Sequence, residues 1–297
     1  MNVPAASHKP PLHMACAIVP KNGRRGRSRS AELASLALVG MLLLSGASLA
    51  AVAPPLGTAQ SFAVLGATPN VNNTGPTIVT GDLGVSPAAA VIGFPPGTVI
   101  GTIHAADAIA AGAQSSNTTA YGVLAGEACD TSFGVPTDLA GMTLVPGVYC
   151  FASSAANTGL LQLDAMGNSN AVWVFQIAST LITGSASTVA VINGGQACNV
   201  FWQVGSSATL GTTTTFVGNI LALTSITMQT GASLSGRALA QTGTVTLASN
   251  TISVCSLNGS SGPAQVALTP TLSEWALALL GALVVLAGIA AMRRRLA

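Results

Sequence analysis

One short phrase recurs three times between Cys198 and Cys255: Ala208-Thr209-Leu210, Ile226-Thr227-Met228 and Val245-Thr246-Leu247. The step from Thr209 to Thr227 and the step from Thr227 to Thr246 are nearly equal. Such a short period, written in β-branched and small residues, is that of a β-solenoid coil, which buries its apolar side only by stacking on its neighbours. Stacking sets Thr209, Thr227 and Thr246 in one row. The flanking Ser206 and Ser207, Thr224 and Ser225, and Thr242 and Thr244 turn that row into a grid of hydroxyls. The grid carries no charge, so it is a surface for ordered water. A second column stays open on the next side of the coil, through Thr213, Thr215, Thr230, Ser233, Asn250 and Thr251.

Only 6% of the 297 residues are charged, and the mean hydropathy is +0.61. Nine of the ten basic residues lie near the ends, which leaves Arg237 alone between them. The stretch 51–262 holds that one base against six acids (Asp82, Asp107, Glu127, Asp130, Asp138 and Asp164), a net charge of −5. One cation cannot neutralise a run of phosphates, which excludes nucleic acid and anionic membrane surfaces as partners of this region.

Residues 1–50 read as a leader. A basic stretch (Lys21, Arg24, Arg25, Arg27, Arg29) precedes an apolar run from Leu33 to Ala53, and small residues at Ser48 and Ala50 favour cleavage after Ala50. Met14 offers an alternative start. At the other end a linker over 263–268 leads to a tail over 269–297, with Pro270, Thr271, Leu272, Ser273, Glu274 and Trp275, an apolar span over 276–292, and Arg293, Arg294 and Arg295. Seventeen apolar residues just suffice to cross a bilayer, with the arginines cytoplasmic. The tail resembles the IPTL-type sorting signal of Gram-negative bacteria, with Thr269 where that family usually has isoleucine. The resemblance implies export machinery and an exosortase-like membrane protease as partners. It also implies delivery to the cell surface or outer membrane, or secretion, the unprocessed form being anchored in the inner membrane.

Cys16 falls in the leader. Cys129, Cys150, Cys198 and Cys255 make an even set in an oxidising compartment. Three pairings are open, and Cys129 with Cys150 and Cys198 with Cys255 is favoured because the second pair brackets the repeat array. Metal binding is a weak rival, since no two are in CxxC spacing and His104 is the only histidine of the domain. No metal or cofactor is expected.

The domain over 51–262 reads as short strands broken by Gly and Pro, interrupted once. Over 104–128 alanine dominates and proline vanishes, which predicts a long helix with Ile109, Ala113, Tyr121 and Leu124 along one stripe. Val172, Val174, Ile177, Val191, Phe201 and Leu221 are candidate core positions.

From Phe62 to Val254 the chain resembles the bacterial and fungal ice-binding protein family. The resemblance rests on Thr80-Gly81-Asp82-Leu83-Gly84-Val85-Ser86-Pro87, Gly93-Phe94-Pro95-Pro96-Gly97-Thr98, Val172-Trp173-Val174-Phe175-Gln176-Ile177 and Asn199-Val200-Phe201-Trp202-Gln203-Val204-Gly205, among other runs. It implies a mostly β fold: a discontinuous right-handed β-solenoid of roughly triangular section, with one long α-helix packed alongside. It also implies adsorption to ice through a flat face rich in Thr, Ser, Ala and Gly. Thr224-Ser225-Ile226-Thr227 fits the family's loose Thr-Ala/Gly-x-Thr/Asn motif with Ser in second place, while Thr242-Gly243-Thr244-Val245 lacks its last polar residue.

The isolated polar and aromatic residues are expected to be structural. Asp82 reads as a turn cap, His104 as a polar residue at the helix start, Arg237 as the partner of an acid at a coil corner, and Trp173 and Trp202 as packing. No nucleophile motif or carboxylate cluster is present to make an enzyme, so no catalytic residue is assigned. A surface adhesin or matrix scaffold on the same solenoid is the alternative to ice binding.

Overall fold

Residues 50–255 are described in this computed structural model. The signal segment, the sorting motif and the span over 276–292 lie outside them. Among the described residues, no helix is long and apolar enough to cross a membrane.

The chain opens with β1 (Phe62–Gly66), β2 (Asn70–Thr74), β3 (Ile78–Thr80), β4 (Asp82–Val85), β5 (Ala90–Ile92), β6 (Thr98–Ile100) and β7 (Ile103–Ala105), followed by the helix α1 (Ala108–Ala125). Then come β8 (Thr131–Phe133), β9 (Thr137–Asp138), β10 (Thr143–Leu144), β11 (Gly147–Phe151), β12 (Ala155–Asn157) and β13 (Leu160–Asp164). The stack continues through β14 (Trp173–Ile177), β15 (Leu181–Thr183), β16 (Thr188–Ile192), β17 (Val200–Val204), β18 (Ala208–Leu210) and β19 (Thr215–Ala222). It closes with β20 (Ile226–Met228), β21 (Ser233–Ala240), β22 (Val245–Ala248) and β23 (Thr251–Ser253).

All pairings are parallel, and they form an 8-stranded sheet, which we call the open face, and a 15-stranded sheet covering the other two sides of the coils. Two long strands, β19 and β21, run from the third side onto the helix side. They bend at Gly218 and Gly236, which pair with each other at φ +113° and +152°. A Cβ on Gly236 would sit 1.9 Å from the Gly218 carbonyl oxygen, so the bend tolerates no side chain.

The stack is out of chain order. β1 lies on β21, β2 on β22 and β3 on β23, so the first coil is laid on the last. Helix α1 then carries the chain back along the helix side to β8 at the far end of that sheet. Eighteen residues make about 27 Å of helix, and eight strand spacings from β7 to β8 make about 38 Å, so helix and flanking turns together cover the distance.

The helix is shorter than the predicted 104–128, and His104 falls in β7. Asp107 is the N-cap, its carboxylate accepting from Ala110 N (2.8 Å) and lying 2.7 Å from His104 Nδ1. The predicted stripe is half right. Ala113 and Leu124 are buried and Tyr121 is half-buried, but Ile109 is 53% exposed, because Ala110, Ala113, Asn117, Ala120 and Leu124 form the face that meets the sheet. The strands below are covered on both sides: Trp173, Phe175 and Trp202 point into the coil, whereas Val174, Phe201, Leu221 and Leu239 pack toward the helix. Phe175 and Trp202 stack at 3.9 Å between ring centroids, so both tryptophans are packing residues. Val172 and Val191 are only partly buried at the margins of these clusters.

Both favoured disulfides form, Cys129–Cys150 and Cys198–Cys255. Among the described residues Arg237 does not meet an acid. It is buried at 4% exposure and donates from Nε and Nη2 to the Gln60 carbonyl (2.9 and 2.6 Å) and from Nη1 to Asn219 Oδ1 (2.8 Å), tying the N-terminal segment to the last coils. Burial pulls its pKa down to about 10, which still leaves it charged at neutral pH. Asp82 accepts from Thr102 N (2.9 Å) and so joins neighbouring coils.

Candidate functional site

Alternation along the strands of the open face turns every second residue outward. Following the register from strand to strand gives a central row: Ile92, Asn72, Thr246, Thr227, Thr209, Ile182, Ala156 and Asp138. The three threonines of the repeated phrase are therefore consecutive in space. Their inner neighbours Ile226, Met228, Ala208, Leu210, Val245 and Leu247 are fully buried, which anchors the row on a packed base.

A second row beside it contains Ser207, Ser225 and Thr244, and here the hydroxyls bond along the stack. Ser225 N donates to Ser207 Oγ (3.3 Å), Thr244 N donates to Ser225 Oγ (3.3 Å), and the Thr244 hydroxyl donates to Asn70 Oδ1 (2.7 Å). Farther along, the Ser154 and Thr180 hydroxyls lie 2.8 Å apart. Ser206, Thr224 and Thr242 follow at the coil corner, with backbone bonds from Thr224 N to Ser206 O and from Thr242 N to Leu223 O. All nine candidate residues thus lie on or beside one face. Strands repeat at about 4.8 Å across it and outward residues at about 6.7 Å along each strand.

The face is almost free of charge. Its one carboxylate, Asp138, closes the row at the end. Partial burial works to raise its pKa, but bonds from the Thr158 hydroxyl, Ala140 N and Thr158 N outweigh this and hold it below the usual carboxylate range.

The alternative column divides. Thr215, Ser233 and Thr251 stand in register and face outward on the third side. Their row is flanked by Ile78 at one end and by Thr188 and then Leu160 at the other. Thr213 and Thr230 lie in corner turns. Asn250 is no surface residue at all: it is 1% exposed and donates inward to the Gln229 and Ala232 carbonyls (2.8 and 3.1 Å). It belongs to a buried polar column with Asn73, Thr77, Asn157, Thr183 and Thr214 that bonds the turns from inside, as where the Thr183 and Thr214 hydroxyls meet at 2.9 Å.

Residues that the repeat did not reveal complete the open face. Asn72 comes from the first coil, and Ile182 and Ala156 come from coils with longer steps, from Ile182 to Thr209 and from Ala156 to Ile182. The polar-apolar-polar alternation of Asn70-Val71-Asn72 was the available signal for Asn72, whereas Ala155-Ala156-Asn157 carries none, since its one polar residue, Asn157, is buried.

The family described as Ice-binding-like matches residues 65–253, and the IPTL-CTERM motif matches residues 270–295. An ice-binding protein of Nostoc sp. (strain HG1) is 54% identical over 199 residues, 67% of this chain and 73% of the relative. One from Flavobacterium frigoris (strain PS1) is 35% identical over 212 residues, 67% of this chain and 75% of the relative. Among solved structures, an ice-binding protein from an Antarctic biological consortium superposes with a TM-score of 0.68 at 44% identity, over 71% of this chain and 95% of that one. The ice-binding protein of the ascomycete Antarctomyces psychrotrophicus gives 0.66 at 40% identity, over 69% and 100%. With a family match over most of its length and relatives that share both sequence and fold, this chain belongs to the ice-binding-like family.

Proposed function

We propose that the protein is an exported, non-enzymatic ice-binding protein that adsorbs to ice through its open face and so slows ice growth and recrystallisation. The observation that carries this reading is the register-aligned row Thr209–Thr227–Thr246, flanked by the hydroxyl row of Ser207, Ser225 and Thr244. Threonine is stiff at χ1, so its hydroxyl and methyl hold fixed positions. Fixed groups near the repeat of the ice lattice template a water layer that freezes onto the crystal at little further entropic cost, whereas mobile charged groups would order water around themselves. The relatives give no support to an adhesin or scaffold role.

Export follows from the termini. On this reading the leader 1–50 is removed after Ala50, the domain over 51–262 is the ice-binding unit, and 263–268 links it to the tail 269–297. That tail crosses the inner membrane over 276–292 until an exosortase-like protease acts near Pro270 to Trp275. The test is ice recrystallisation inhibition and thermal hysteresis of the exported, disulfide-bonded protein beside a variant with Thr209, Thr227 and Thr246 all replaced by lysine. Activity present in the first and absent from the second is expected. Activity surviving the triple change moves the site off this face, and an inactive wild type removes the function.

A further inference from the structure

From the surroundings of Glu127 we infer that the N-terminal ammonium released by cleavage after Ala50 docks on the Glu127 carboxylate, so that processing itself completes a half-buried ion pair at the end of the helix. This rests on the reading of the leader given above and adds to it a residue that receives the new terminus.

The contact is already half built. Val52 N donates to Glu127 Oε2 at 3.0 Å, across 75 residues of sequence. Ala51 is half-buried against the cluster formed by Leu124, Val148 and Phe201, with Leu56 beside it. Consecutive Cα atoms lie about 3.8 Å apart, so the Ala51 nitrogen is within one residue of the carboxylate. The other oxygen, Oε1, is buried and has no hydrogen-bond partner among the described residues. Glu127 is held in place from behind, since Gln176 Nε2 donates to the Leu124 and Glu127 carbonyls (2.7 and 2.8 Å).

Charge favours a cation at this point and no lysine or arginine of the domain supplies one. Glu127 follows the C-terminus of α1, where the helix dipole is negative, and Asp130 adds a second carboxylate nearby. Burial first, and then Asp130, push the Glu127 pKa up, as expected of a carboxylate without a counter-charge. Arg237, the one Lys or Arg in 51–262, is committed inside the stack to Gln60 and Asn219. An α-ammonium at residue 51 is the cation that remains.

A property of the sequence makes the test clean: no lysine occurs after Lys21, so a chain starting at Ala51 carries one primary amine, its own terminus. The full reading frame is exported through its own leader as wild type, as Glu127→Gln, and as both again with Gly-Ser inserted between Ala50 and Ala51. Intact mass gives the first residue. The rate of labelling by an amine-reactive ester at pH 7 reports how strongly the ammonium is held, and thermal melting reports its effect on the fold. We expect an Ala51 terminus, labelling at least about threefold faster in Glu127→Gln, since loss of the partner lowers the amine pKa toward about 8, and a Tm about 2 °C lower or more. In the inserted pair Glu127→Gln should change neither. A first residue other than Ala51 overturns the processing assignment. An Ala51 terminus whose labelling and melting ignore Glu127→Gln overturns the ion pair and leaves the processing standing. Recrystallisation inhibition on the same samples is expected to stay at wild type, so its absence throughout would count against ice binding and not against this pair.

Discussion

Replacing Thr227 by lysine tests the proposed face at its centre. Thr227 pairs with Thr209 on one side and Thr246 on the other, and Asn72 extends the polar row by one strand. Those four residues span three strand spacings, about 14 Å. A lysine ammonium on its four-carbon stem stands roughly 4 Å above the level of a threonine methyl. That exceeds the ~2.8 Å of one hydrogen-bonded water layer. An ice surface lifted by that much over the middle strand loses contact with both neighbours, and so with most of the row. We expect the concentration needed to stop recrystallisation to rise at least about tenfold, equivalent to ~1.4 kcal/mol of adsorption energy. Folding should be spared, because Thr227 points outward from a buried base: the stability change should stay within about 0.5 kcal/mol. Thr215→Lys on the third side is the control and should leave activity unchanged. A Thr227→Lys protein that inhibits recrystallisation like wild type would refute the assignment, and loss in Thr215→Lys alone would transfer it to the third side.

Ile182, 50% exposed and next to Thr209 in the row, interrupts the hydroxyls; Ile182→Thr should lengthen them by one coil and raise thermal hysteresis. Arg237→Ala leaves the Gln60 carbonyl and Asn219 Oδ1 without their donor and should cost about 3 kcal/mol in urea denaturation. Opening Cys198–Cys255, whose sequence separation is 57, should cost about 4 kcal/mol against about 3 for Cys129–Cys150 with separation 21, if chain entropy dominates. Asp107, Asp138 and Asp164 all have folded pKa values below the ordinary 3.8. Their contribution to stability is complete above that value and is lost as pH falls through the lower folded values, so melting temperature should decline below about pH 4 and stay level from pH 5 to 7 as far as these groups are concerned.

What the sequence exposed was whatever repeats locally. Thr209, Thr227 and Thr246 recur at nearly equal steps because β18, β20 and β22 belong to successive coils with short turns, so periodicity alone placed them in a row. Ile182 belongs to the same row, but the step from it to Thr209 is half as long again, and a changed period hides the neighbour. Asn72 was hidden for a different reason. Its partner Thr246 lies at the far end of the domain sequence, and nothing in a hydropathy pattern says that the first coil is laid on the last. Asn250 misled because polar side chains at coil corners point either way. Here an inward amide gives a second donor to two turn carbonyls that the backbone N–H groups of Ala232 and Thr251 also meet, and polarity alone cannot distinguish that from exposure. Arg237 shows the same limit, since a buried guanidinium can be satisfied by carbonyl oxygens as well as by an acid.

The inward polar column bears on function as well as on stability. A surface that must match a crystal needs its outward groups fixed to a fraction of an ångström, and the open-face strands that carry the threonine row are only three or four residues long. Such strands are held at their ends. At one corner Asn250, Asn73 and Thr214 bond turn carbonyls from inside, through Asn250 to Gln229 and Ala232, Asn73 to Gly75 and Gly93, and Thr214 to Gly184. At the other, Ser207 and Ser225 hydroxyls accept from the backbone of the next coil. Removing a corner amide should therefore loosen the face before it unfolds the protein. Asn250→Ala keeps the outward rows intact and removes one of the two donors from each of the Gln229 and Ala232 carbonyls, two hydrogen bonds worth about 2 kcal/mol together. If rigidity of the rows is what adsorbs to ice, thermal hysteresis in this variant falls at temperatures well below its melting point, and hydrogen exchange rises first in β20 and β22. Full hysteresis in a variant whose corner exchange has risen would mean that the row tolerates motion, and that the composition of the face, rather than its fixed geometry, governs binding.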